Sequence, residues 1–193
     1  MNNKMFAVSA ALALACASFT AAAADGAELL GGFVRVEAGR SDNNVKVSGL
    51  GNASDHDNAY SVRGGYWYNS HFAVEAFYTN AFDKSYSDGV DTVNLKATAL
   101  GVGIVGKKNF GDAAHQGAYM MGRVGVMHGK LEAGVSGLGN DSASSTEAYF
   151  GVGVGYDFSR NFGIGLNYDY LKGSGDGITV TSKPLMLGAE YRF

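Results

Sequence analysis

One proline and one cysteine occur in 193 residues. A single proline excludes a Pro-rich disordered chain. The cysteine is Cys16, inside the N-terminal apolar run, so the remainder of the chain cannot form a disulfide. Charged residues are 17% of the chain, fewer than the usual quarter or so. The net charge of -3 excludes the basic surface that nucleic acid requires. The apolar stretches fall short of the ~20 residues of a membrane-spanning helix. Mean hydropathy is -0.04, which also argues against a helical membrane protein.

What is abundant is glycine, 29 residues, and aromatics, 12%. Apolar and polar residues alternate at period two, the signature of strands with one apolar face. Alternation allows a membrane barrel to be polar on average, because lumen-facing residues dilute lipid-facing ones. Residues 1–24 read as an export signal. Lys4 supplies the positive charge, 6–19 the apolar core, and Ala22, Ala23 and Ala24 the small residues for cleavage before Asp25. Ala13 stands three residues before Cys16, where a lipoprotein signal carries Leu. Cleavage after Ala24 leaves 169 residues and no cysteine.

Eight strands are predicted, over 27–39, 59–68, 72–79, 93–107, 118–128, 146–158, 162–171 and 184–193. The clearest alternation puts Ala148, Phe150, Val152, Val154, Tyr156 and Phe158 on one face, with Glu147, Tyr149, Gly151, Gly153, Gly155 and Asp157 on the other. In the fourth strand Leu100, Val102 and Ile104 share a phase with Asn94 and Lys96. Either a bulge resets that phase or Lys96 stands above the membrane, where outward charge costs little. Long polar segments at 41–58, 80–92, 129–145 and 173–182 read as loops, alternating with turns near 69–70 and 159–161 and a medium connection at 107–117. The four long loops hold nine carboxylates against three lysines, a net of -6. Such an acidic surface disfavours heparin-like chains and phosphates.

The last ten residues carry the most specific signal. Leu185, Leu187, Ala189, Tyr191 and Phe193 form an apolar face; Met186, Gly188, Glu190 and Arg192 lie opposite. The ending resembles the C-terminal assembly signal of bacterial outer-membrane β-barrels, matched at Gly188, Tyr191 and Phe193 and departed from at Met186. The hairpins over 65–78 and 146–171 resemble those of the OmpA-like transmembrane domain and its OmpX/Ail and opacity relatives. The resemblance implies an all-β, eight-stranded, antiparallel up-and-down transmembrane barrel in the outer membrane. It further implies monomers, assembled by the barrel assembly machinery among outer-membrane lipid and lipopolysaccharide.

An eight-stranded barrel is just wide enough for side chains to fill. The inward-phased charges are Arg35, Glu37, Arg63, Glu75, Arg123, Glu147, Asp157, Asp169, Glu190 and Arg192. They should pair into a lumen network, since an unpaired buried charge is very costly; a polar conduit is the alternative. Gly101, Gly103 and Gly106 match G-x-G-x-x-G, but a turn follows where a dinucleotide site needs a helix, so no cofactor is expected. The histidines, His56, His71, His115 and His128, are not paired at metal spacing, and Asp55, His56 and Asp57 read as a solvated acidic loop. The resemblance implies a structural or cell-surface interaction role through the loops, such as adhesion or envelope integrity, toward an unnamed host or surface ligand. The alternatives are a narrow pore for small solutes and a lipid-modifying enzyme. For the enzyme, His128 with Ser136 or Ser142 is the one conceivable pair, and no catalytic role is expected.

Overall fold

The computed structural model describes residues 31–47, 51–87, 92–111, 115–135, 139–175 and 178–193. The expected export signal lies outside these residues. Eight strands follow one another: β1 Gly31–Val47, β2 Gly51–Trp67, β3 Phe72–Ser87, β4 Thr92–Asn109, β5 Gly117–Val135, β6 Gly139–Asp157, β7 Phe162–Gly175 and β8 Ile178–Arg192. Each pairs antiparallel with the next, and β8 returns to β1 to close the ring. Closure gives every strand two neighbours, so no edge is left to be satisfied by water.

The strands are 14 to 19 residues long, whereas about 9–11 tilted residues cross a bilayer. The four long segments expected as loops are therefore largely ladder. In the first, Ser41 pairs with Asp57 and the pairing continues to Val47 with Gly51. The backbone explains the difference. Beyond the membrane the outward residues are wet and the inward Ser41 and Asn43 are polar too, so alternation disappears, but the ladder hydrogen bonds need no particular side chains.

The fourth strand keeps a single phase. Ala97, Ala99, Gly101, Gly103 and Val105 run along its inner face, and Lys96 is outward above Leu100. The irregularity lies in the partner: β3 shifts register between Asn80 and Phe82, with Ala81 as the extra residue. The only proline of the chain, Pro184, interrupts another ladder. It faces Ser41 of β1, while the pairing of β8 with β7 skips from Tyr168–Leu185 to Leu171–Ser182. A proline has no N–H to give to a second neighbour.

Lipid-facing residues such as Val102, Ile104, Val124, Val152 and Leu187 are exposed, as an apolar outer wall must be. Aromatics gather at its two borders, Tyr68, Phe158, Tyr191 and Phe193 at the short-turn end and Tyr60, Tyr78 and Phe150 toward the other. Inside, Phe33, Trp67, Ala73, Val105, Tyr119 and Met121 pack near the short turns. Phe77, Ala99, Met127, Tyr149 and Leu171 pack farther up. The opposed inward glycines Gly103 and Gly125 make room for the Tyr149 ring: a Cβ on Gly125 would stand 2.7 Å from Tyr149 Cε1.

Candidate functional site

Between the two apolar clusters the lumen is filled by charge. Five cations, Arg35, Arg63, Lys107, Arg123 and Arg192, meet five carboxylates, Glu37, Glu75, Asp157, Asp169 and Glu190, and all ten are buried. Arg63 is the hub. Its Nε donates to Glu37 Oε2 and its Nη1 to Glu75 Oε1, both at 2.9 Å, and its Nη2 to Asp169 Oδ2. The Phe77 ring lies 4.5 Å from its guanidinium carbon. Arg123 grips Asp169 with two donors, at 2.7 and 3.0 Å, and reaches Glu37 at 3.2 Å. Tyr149 donates its hydroxyl to Glu75 Oε1 at 2.9 Å.

A second group continues toward the short turns. Arg35 donates through Nε and Nη2 to Glu190; its approach to Glu37, 3.9 Å, is the weaker contact. Arg192 donates to Glu190 and Asp157, each at 2.8 Å. Lys107 Nζ is 2.6 Å from Asp157 Oδ2 and 4.0 Å from the centre of the Tyr119 ring. Charges bridged in this way exchange their hydration shells for fixed partners, which is what makes burial tolerable.

Two corrections to the expected network follow. Glu147 faces inward but is only half-buried, and among the described residues no cation pairs with it. Lys107, read as the start of a connection, is instead the fifth cation of the lumen. Charge balance was the available signal: the expected set held four cations against six carboxylates, and exchanging Glu147 for Lys107 makes it five against five. Lys107 also keeps the inward phase of Gly103 and Val105.

Spacing gives His115 no role, yet it caps the lumen from the β4–β5 connection. It adopts φ 53, a left-handed conformation that histidine enters more readily than most residues. The side chain is fully buried against Trp67, ring centres 5.1 Å apart. Arg192 Nη1 lies 3.5 Å from its Nδ1, which must accept, so the neutral ring carries its proton on Nε2. Burial, then the nearby cations Arg192 and Lys107, push this imidazole down to about 4, against the pull of Asp157 and Glu190. A folded-state value below the ordinary 6.5 means that the unfolded chain binds the proton first. Stability is then full above the ordinary value and falls as pH drops from there toward about 4. His115→Asn keeps a residue suited to positive φ and removes the titration. Urea midpoints in micelles at pH 7 and at pH 4.5 should differ less for that variant than for the native chain; an equal acid loss in both refutes the assignment.

Above Phe77 and Tyr149 the lumen widens into a small chamber of about 70 Å³, lined by Ala97, Ala99, Met127, Leu171 and Val180. The rim is built from the extended hairpins. Asp42 and His56 face each other across β1 and β2 with Oδ1 and Nδ1 2.5 Å apart. Lys130 donates to Glu132 at 2.6 Å and holds its carboxyl below the usual range. His128 Nδ1 lies 3.1 Å from Thr146 Oγ1, its cross-strand neighbour, and Ser142 is opposite Glu132, four rungs farther up. Ser136 lies outside the described residues.

The C-terminal residues Gly188, Tyr191 and Phe193 meet different surroundings. Gly188 faces inward, where a Cβ would stand 2.9 Å from Glu37 Cγ. Tyr191 is on the outer wall. Phe193 donates its N–H to Gly32 O at 2.9 Å and lays its ring over Gly32, sealing the β1–β8 seam.

The family model of the outer membrane protein beta-barrel domain matches residues 9–193. The chain belongs to that family. This outer-membrane barrel is similar to solved structures of the same architecture. Ail, the attachment invasion locus protein of Yersinia pestis, is 22% identical with a TM-score of 0.57, over 84% of this chain and 99% of that one. Neisserial surface protein A is 16% identical with a TM-score of 0.65, over 84% and 97%. The N-terminal barrel domain of Pseudomonas aeruginosa OprF is 18% identical with a TM-score of 0.51, over 86% and 100%. At these identities the likeness is one of fold. No curated protein matches the chain.

Proposed function

We propose that this barrel is a surface-interaction and envelope-stabilising protein, non-enzymatic and monomeric, whose lumen is a plug and whose four long hairpins form the contact surface. The carrying observation is the five-against-five lumen. Its side chains meet one another across the full width of the barrel and leave the hairpin rim as the part free of structural demands. In this reading the short turns face the periplasm and the hairpins the cell surface. Lys96, Lys172 and Lys183 point outward at the base of the hairpins, suited to lipopolysaccharide phosphates. Higher up, Asp42, Asp55, Asp57 and Asp83 make the first rim sector acidic. Ail of Yersinia pestis was solved with the heparin analogue sucrose octasulfate; the acidic sector here suits a neutral or basic partner instead. The terminal Phe193 is the residue through which the barrel assembly machinery would read the last strand.

The test trims the rim without touching the plug. Ser41 and Asn43 reach inward to Ser182 and to Ala81 O, so they are kept. Replacing 44–54 and 132–142 with Asn-Gly turns preserves the register below, and Asp42→Asn, Asp55→Asn, Asp57→Asn and Asp83→Asn in the same variant remove the acidic sector. The trimmed protein should still migrate differently in SDS before and after boiling, and should lose binding to host or bacterial cells. Retained cell binding, or steady ion conductance of the native protein in planar bilayers, overturns the reading.

A further inference from the structure

Below the chamber, glycines that face the lumen are filled from within. Phe33 covers Gly65, Phe77 covers Gly101, and Tyr119 covers the opposed pair Gly155 and Gly165. On the outer wall, Phe193 covers Gly32. The outward pair Gly106 and Gly122 is different. The two are directly opposed on β4 and β5, and a Cβ on either would meet only ordinary contacts, 3.8 Å from Phe72 Cε1 and 4.0 Å from Gly151 O. Among the described residues nothing therefore requires glycine there. Gly64 is also uncovered but stands alone between Val34 and Ala76. Glycine in a strand interior forfeits packing and stability, and commonly marks a place where something else approaches the backbone.

What approaches is indicated by the surroundings. Along the hydrogen-bonding row the order is Phe72, Gly106, Gly122, Val152, so two bare positions lie side by side between two side chains. An open groove of about 680 Å³ runs over them, and Lys108, His71 and Met120 line its short-turn end. Lys108 is outward and exposed, one residue from the end of β4, and among the described residues no carboxylate pairs with it. An apolar channel with a cation at its foot, at the border of the membrane, has the chemistry of one amphiphile. We propose that the groove is a seat for a single phospholipid of the periplasmic leaflet, an acyl chain lying over Gly106 and Gly122 and the phosphate on Lys108. The leaflet rests on the orientation proposed above; the seat itself does not.

Native mass spectrometry of the intact barrel released from micelles tests the seat in detergent, independently of orientation. The probes are dioleoyl phosphatidylglycerol and dioleoylglycerol, which shares the chains and lacks the phosphate. The native protein should retain one phosphatidylglycerol under activation that strips the rest. Gly106→Leu with Gly122→Leu fills the groove, and the open space around both Cβ positions lets this variant fold, as its heat-modifiable migration will show. It should bind neither probe above background. Lys108→Gln should weaken phosphatidylglycerol about tenfold, one charge-assisted contact, and leave dioleoylglycerol unchanged. Identical lipid retention by the native and leucine-filled barrels, or no retained lipid on the native one, refutes the proposal. A native dimer that becomes monomeric on filling assigns the groove to a second copy of the chain instead.

Discussion

Arg63→Met is expected to cost the barrel about 3–5 kcal/mol, the loss typical of removing one partner from a buried ion pair. The substitution keeps most of the side-chain volume and removes only the guanidinium. Glu37, Glu75 and Asp169 then share Arg123 and Arg35, and the lumen passes from balance to an excess of one carboxylate. Arg63 has no exposed surface through which water could compensate. The cost is read as a drop in the urea midpoint for refolding into lipid vesicles. Adding Glu75→Gln restores balance at four against four, so the double variant should be more stable than Arg63→Met alone. If Arg63→Met unfolds at the native urea concentration, solvent fills the lumen and the pairs contribute little.

Val152→Arg carries the other large expected effect. Val152 is 57% exposed on the lipid face, and Val154 and Phe150 continue that face on either side. A charge there near mid-bilayer should cost about 2–4 kcal/mol. Its neighbour Gly153 points the other way. A Cβ at Gly153 would press on Asn167 Oδ1 and, at 2.9 Å, on Met121 Cε, the far ends of side chains that can shift. Gly153→Ala should therefore cost less than Val152→Arg in the same refolding titration. The reverse order would place β6 in the wrong phase.

Sequence made the wall legible and the rim illegible, for one physical reason. Where lipid meets one face and packed charge the other, each residue of β6 from Ala148 to Asp157 must declare its side. In the hairpins the buried, inward Ser41 and Asn43 are as polar as the exposed, outward Asp42 and Asn44, so strand and loop have the same composition there, although the backbone pairs throughout. The fourth strand is ambiguous in sequence because Lys96, farther up, shares the outward phase of Leu100; its ladder to β5 is unbroken, and the irregularity belongs to its partner, where Ala81 is the extra residue of β3. Phase identifies the inward charges, but phase cannot give depth. Glu147 and Glu75 are both inward; one stands half-wet near the chamber and the other at the hub. His115 lay beyond periodicity altogether, since a connection has none.

The Phe193–Gly32 seal also dictates how this ring can form. Every other strand pair joins neighbours in the chain, but the seam joins residues from 131 positions apart, Val47 and Ile178, to 161 apart, Gly32 and Phe193. Contacts of such high order are slow to find, because the loop must close before they give any return. Until that moment β1 and β8 are two bare edges of a curved sheet, each able to recruit a stranger. β8 must therefore be made and brought to β1 before the ring can close. The interval before it is when this protein is most exposed to aggregation.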